Sequence, residues 1–236
     1  MSVRPARLNA LIAWLFILGS ACFVLGSVPA YVNAVGGPLD GITYFVGSIL
    51  FTAASFAQLV QAQSPEMTGV DAAQQHTRAP VRFWNWLPHD RNWLAAATQF
   101  PGTVFFNVST LAALTHNASA AEVDRYVWRP DLFGSTLFLG ASALGVLAVS
   151  QRFFSLRTRS VPWRIAWLNM VGSVLFMASA LASYVLPGTD ELVSTRVSVA
   201  GTLLGAVCFL VGAALMFPAW RDALVRAQPS LRPVDP

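Results

Sequence analysis

Ile12-Ala13-Trp14-Leu15, followed by Gly19-Ser20-Ala21-Cys22-Phe23, returns 153 residues later as Ile165-Ala166-Trp167-Leu168 and Gly172-Ser173-Val174-Leu175-Phe176. Together with Tyr31, Val32, Tyr184 and Val185, these make nine identities over the 21 positions from 12 to 32. Shared hydrophobicity does not produce that agreement, so the two stretches read as copies of one unit. The heart of the unit is a glycine, a small residue, two variable positions and a phenylalanine. It occurs six times: at Gly19-Ser20…Phe23, Gly47-Ser48…Phe51, Gly102-Thr103…Phe106, Gly134-Ser135…Phe138, Gly172-Ser173…Phe176 and Gly205-Ala206…Phe209.

Each copy lies in an apolar run. A helix needs about 20 apolar residues to span a bilayer, and six runs qualify: about 8–28, 41–61, 93–115, 132–150, 164–186 and 197–217. The composition agrees. Of 236 residues 55% are hydrophobic and 11% charged, whereas a soluble domain carries roughly a quarter charged residues. The expectation is a single all-α integral membrane domain, residues 1–236, of six transmembrane helices in three hairpin repeats. The first run has Arg4 and Arg7 ahead of it, as a signal peptide would. Its apolar core exceeds the usual 7–15 residues or so, and it resembles the fifth run, so it reads as a retained helix. The first and fifth helices run in the same direction. This differs from the inverted repeats of many transporters.

The charges set an orientation. All 15 basic residues are Arg, a bias that reads as a bacterial, GC-rich source. With the N-terminus inside, Arg4, Arg7, Arg78, Arg82, Arg91, Arg152, Arg157, Arg159, Arg164, Arg221, Arg226 and Arg232 face the cytoplasm. Only Arg125, Arg129 and Arg196 face outward. By the positive-inside rule both termini are cytoplasmic, in a cell inner (plasma) membrane. Trp84, Trp86, Trp93, Trp163, Trp167 and Trp220 then mark the inner interface, and Tyr31 and Tyr184 the outer one; such rings favour the headgroup region. The loop 62–92 begins polar and ends in a segment, 81–93, expected to lie on the inner membrane surface. The Pro-rich tail 219–236 reads as disordered.

Gly and Phe at i and i+4 share a helix face. The glycine opens a dent for a neighbouring backbone, Ser or Thr can hydrogen-bond across the contact, and the Phe can fill a partner's dent. Gly19, Gly47, Gly102, Gly134, Gly172 and Gly205 are therefore helix-packing positions. At this point the chain resembles a family. Phe45-Val46-Gly47-Ser48-Ile49-Leu50-Phe51 and the repeated hairpins are similar to the YrhK-like membrane proteins, best at 10–60 and 163–217. The resemblance implies small bacterial hairpin proteins with longer multi-helix relatives. It brings a fold expectation, no biochemical activity and no catalytic residues.

Apart from Arg164 at the inner edge of the fifth, the six runs contain no Asp, Glu, Lys, Arg or His. Such groups are costly in lipid and mark proton and ion pathways, so a proton-coupled pump or voltage sensor is disfavoured. Gln99, Thr103, Asn107 and Thr110 form a polar stripe on the third helix at helical spacing, interrupted by Pro101. Asn169 and Ser173 make a shorter stripe on the fifth. This polar seam reads as interhelical hydrogen bonding, or else as the lining of a solute site. Asp131, next to Pro130, reads as an acid at the start of the fourth helix. His76, His89 and His116 lie in separate loops, and Cys22 and Cys208 in apolar runs. No nucleophile–base pair, phosphate loop or metal motif emerges, and no cofactor or metal is expected. The first reading is a non-enzymatic scaffold or partner-binding membrane protein, acting with another membrane protein or as a homo-oligomer and without nucleic acid. The second is a passive channel or transporter for a small uncharged or weakly polar solute. The third is a lipid enzyme using Asp131, His116 or His89.

Overall fold

The computed structural model describes residues 2–64, 79–115, 119–150, 160–186, 188 and 191–226. His76, His116, Arg78, Arg152, Arg157, Arg159, Arg232 and the last ten residues of the tail lie outside the described residues. The long helices are α1 (Pro5–Gly26), α3 (Gly37–Ala62), α4 (Arg91–Thr115), α5 (Arg129–Val149), α6 (Val161–Ala182) and α7 (Thr195–Ala214). A short α2 (Pro29–Val35) turns the chain between α1 and α3, and α8 (Met216–Arg226) follows α7. Strands β1 (Ser2–Val3) and β2 (Ala79–Pro80) pair antiparallel, Ser2 with Pro80 and Val3 with Ala79.

Five helical stretches are long and apolar enough to cross a membrane: Pro5–Gly26, Gly37–Ala62, Ala120–Val149, Val161–Ala182 and Thr195–Ala223. The protein is thus all-helical with membrane-protein character. Helix α4 is long enough at 25 residues; its polar stripe keeps it below the same hydropathy.

Three boundaries differ from the sequence reading. Helix α5 was expected to begin at 132, but it continues upstream without a break. A π-helical turn, Val123–Trp128, joins it to the turn Ala120–Glu122. There Ser119 N–H donates to Glu122 Oε2 at 3.0 Å, which closes a capping box. Residues 219–226, expected to be disordered, form most of α8, because that amphipathic segment has a surface to lie on: Phe217 packs edge-on to Trp14 at 5.8 Å and Met216 against the Leu8–Ile12–Ala79 cluster. The third helix, expected from 93, begins at Arg91, and Trp93, expected at the interface, sits in its first turn and is 6% exposed. Asp90 Oδ1 caps that helix start, accepting from Asn92 and Trp93 N–H. Trp84 and Trp86 remain exposed at 83% and 67%.

The six long helices close into a ring. Each packs on the next in chain order, and α1 closes on α7. Successive helices run antiparallel, so β1, β2 and α8 gather at one end, the terminal end. The ring's interior holds Phe23, Phe51, Phe106, Phe138, Phe176 and Phe209, one from each helix, with Ala206 in the same buried cluster.

Candidate functional site

The six motif glycines meet in pairs within the hairpins α1–α3, α4–α5 and α6–α7. A Cβ built on Gly19 would lie 3.1 Å from Gly47 O, one on Gly102 3.2 Å from Gly134 O, and one on Gly172 3.1 Å from Gly205 O. Side chains are excluded there, so the backbones approach as closely as small residues permit. Each motif Phe covers its hairpin partner's glycine. Phe51 would be 2.7 Å from a Cβ on Gly19, Phe138 3.0 Å from one on Gly102, and Phe209 3.0 Å from one on Gly172. Phe23, Phe106 and Phe176 sit reciprocally over Gly47, Gly134 and Gly205.

The glycine level is common to antiparallel partners, so residues four positions on lie about 6 Å away toward opposite ends. The Phe residues therefore form two layers. Phe51, Phe138 and Phe209 contact one another at 5.7–6.3 Å, and Phe176 contacts Phe23 and Phe106 at 6.1 Å. The layers are joined within hairpins by Phe23–Phe51, Phe106–Phe138 and Phe176–Phe209, at 5.6, 5.1 and 5.2 Å. The axis of the ring is filled with aromatic side chains.

The polar seam lies between α3 and α4. Gln99 Nε2 approaches Gln58 Oε1 at 3.4 Å, Asn107 Nδ2 donates to Thr52 Oγ1 at 2.9 Å, and Thr110 Oγ1 meets Ser48 Oγ at 2.9 Å. Thr52 and Gln58 were not singled out from the sequence, and Ser48 was named only as the small residue of the packing motif, although Ser48 and Thr52 share a helix face at a spacing of four. Thr103 does not join the seam. It is fully buried and its hydroxyl donates to Phe100 O at 2.6 Å. The carbonyl that Pro101 leaves without its intrahelical donor is that of Ala97, four residues earlier, so the Thr103 bond is a local back-bond to its own helix. Asn107 Oδ1 is buried without a partner.

The fifth-run pair divides between two neighbours. Ser173 Oγ meets Ser142 Oγ of α5 at 2.8 Å and donates to Phe138 O at 3.2 Å. Asn169 points toward α7, with Oδ1 2.9 Å from a Cβ built on Gly212. These two residues therefore do not extend the α4 seam. Ser142 on α5 and the Ser179–Thr202 pair, 2.8 Å apart between α6 and α7, supply further contacts of the same kind.

At the terminal end the segment 81–90 is tied down from both sides. Arg82 N–H donates to Ser64 Oγ at 2.9 Å, Asn85 Nδ2 to Gln63 O at 3.2 Å, and Arg91 Nη1 to Leu147 O at 2.7 Å. Trp86, Leu87, Pro88, His89 and Asp90 line a shallow, open concavity there. Cys22 and Cys208 are free thiols, each packed beside a glycine of its hairpin partner, Gly47 and Gly172. No family model, curated protein or solved structure matches the chain.

Proposed function

We propose that the chain is a six-span inner-membrane protein of three duplicated hairpins, YrhK-like in character, with both termini cytoplasmic. Its role is that of a non-enzymatic scaffold or partner-binding component. The six-span reading adds α4 to the five apolar stretches. It draws on the matching glycine and Phe contacts of α4–α5 and the two flanking hairpins, and on a polar stripe turned toward α3. The orientation rests on the Arg distribution, 12 toward one side and three toward the other, and on the first and last described elements, β1 and α8, lying at one end of the ring.

The observation that carries the functional reading is the filled axis: six Phe close the ring's centre, and four of the polar side chains that could line a solute path, those of Gln99, Asn107, Thr110 and Ser173, bond across helix contacts. A passive channel or transporter is the competing reading. It is favoured only by Asn107 Oδ1, the one seam atom left buried and unpartnered.

Thiol labelling in intact cells separates the two readings. Asn107→Cys, placed in a Cys22→Ala/Cys208→Ala background, is predicted to resist a membrane-impermeant reagent while a Ser119→Cys control reacts. Rapid labelling at position 107 would bring water beside α4 and put the channel reading in its place.

A further inference from the structure

The unbroken helix from Ala120 to Val149 changes the standing of Asp131. Read from sequence it is an acid at a helix start; in the fold it does lie in the first turn of α5, but the lead-in from Ala120 continues that helix upstream, so Asp131 lies inside a membrane-length stretch. Three residues separate it from Gly134, about 4.5 Å along the axis. Gly134 is backed on Gly102, whose helix runs on to Thr115, about 20 Å beyond the glycine level. Asp131 is thus an acid within the spanning layer, on the side of the glycine level away from the termini.

Its register is informative. Asp131 precedes Phe138 by seven residues, as Tyr44 precedes Phe51 and Thr202 precedes Phe209. Both sister side chains are hydrogen-bonded across their hairpins. Tyr44 OH meets Ser27 Oγ at 2.8 Å, and Thr202 Oγ1 meets Ser179 Oγ, which also donates to Ser198 O at 2.7 Å. The α4–α5 hairpin repeats the second arrangement up to the last atom. Ser109 Oγ donates to Val127 O at 2.9 Å, and Val127 precedes Asp131 by four residues, as Ser198 precedes Thr202. Yet Asp131 makes no hydrogen bond or ion pair among the described residues.

The hydroxyl proton of Ser109 is spent on Val127 O, so Ser109 can only accept from a further neighbour. A carboxylate has nothing to donate; a protonated carboxyl does. Among the described residues no counter-charge replaces the proton. The helices packed on α5 carry only Arg91 and Arg164, both at the terminal end, and Arg129 is paired with Asp124 at 2.7 Å on α5's own lead-in, which also carries Arg125 and Glu122. One carboxylate among hydroxyls falls well short of the six or more oxygens a hard metal cation takes.

We propose that Asp131 is an intramembrane proton-binding site, and that binding the proton completes the Asp131–Ser109 contact between α4 and α5. Infrared difference spectroscopy of the full chain in lipid nanodiscs, titrated between about pH 5 and 9, tests it. Acidification is expected to raise a carboxylic C=O band that is absent from Asp131→Thr, which copies the sister hairpin, and from Asp131→Asn as a second variant. In Ser109→Ala, which keeps the carboxyl, the band is expected to move to higher wavenumber as its acceptor is lost. Acid-induced carboxyl bands that are the same in wild type, in both Asp131 variants and in Ser109→Ala would overturn the proposal.

Discussion

A glycine in this chain is decided by what stands opposite it. Gly134 and Gly145 belong to the same helix and are indistinguishable by propensity. A Cβ on Gly134 would lie 2.8 Å from the Phe106 ring and 3.0 Å from Gly102 O, whereas one on Gly145 meets nothing within 4 Å. Gly134→Ala must push a backbone away, the overpacking that costs about 1–3 kcal/mol. Gly145→Ala meets no clash and should stabilise by up to about 1 kcal/mol, the helix-propensity gain of alanine over glycine. Unfolding of the two variants by a denaturing detergent, against wild type, checks the difference; equal destabilisation would contradict the back-to-back glycine contact. The motif itself was legible from Gly and Phe at i and i+4. Which glycine each Phe covers was not, because that depends on the register between two helices rather than on either one.

At the scale of elements, the serine after a motif glycine reaches the neighbouring hairpin at two of the three seams between hairpins. Ser48 bonds Thr110, four residues beyond Phe106, and Ser173 bonds Ser142, four beyond Phe138. The same register sets Ser20 of α1 against Ala213 of α7, four beyond Phe209. Ser20 Oγ is fully buried and has no partner, as expected where the opposing residue lacks a hydroxyl. Ala213→Ser is therefore predicted to stabilise the fold, by about the 0.6 kcal/mol typical of such bonds in membranes; a destabilised variant in thermal unfolding would show that the α1–α7 register differs from the other two seams. The polar stripe of α4 was readable as a 3.6-residue periodicity. Its division was hidden: Thr103 turns to its own backbone, while Asn107 and Thr110 turn to α3. Sequence spacing identifies a face but not the neighbour that occupies it.

At the scale of the molecule, the closed ring makes the position of the chain ends a detail of connectivity. β1 pairs with β2, and α8 packs on α1, so residues 5 and 226 lie at one end of the bundle. A permuted chain that joins these ends by a flexible linker and begins at Ser160, ending at Ser150, keeps every contact between the described helices. It is expected to give the same helical content and a thermal midpoint close to that of the parent, measured by circular dichroism in detergent. Failure to fold would mean that the α1–α7 contact does not close the ring independently of chain order.

Composition and period determined by themselves that this is an all-helical chain with membrane-length apolar segments, roughly where each segment runs, and that one glycine–phenylalanine unit recurs in all of them. These are local properties: apolar length, i and i+4 spacing, and the distribution of Arg are all written within a few turns of chain. Only the tertiary structure decided that six Phe converge on one axis and that α5 continues upstream past Pro130. It also decided that Asp131, which does lie in the first turn of α5, has a further helical lead-in from Ala120 behind it. Each of these depends on how far one helix is shifted along another, and that shift is set where glycine backbones touch, between residues far apart in sequence.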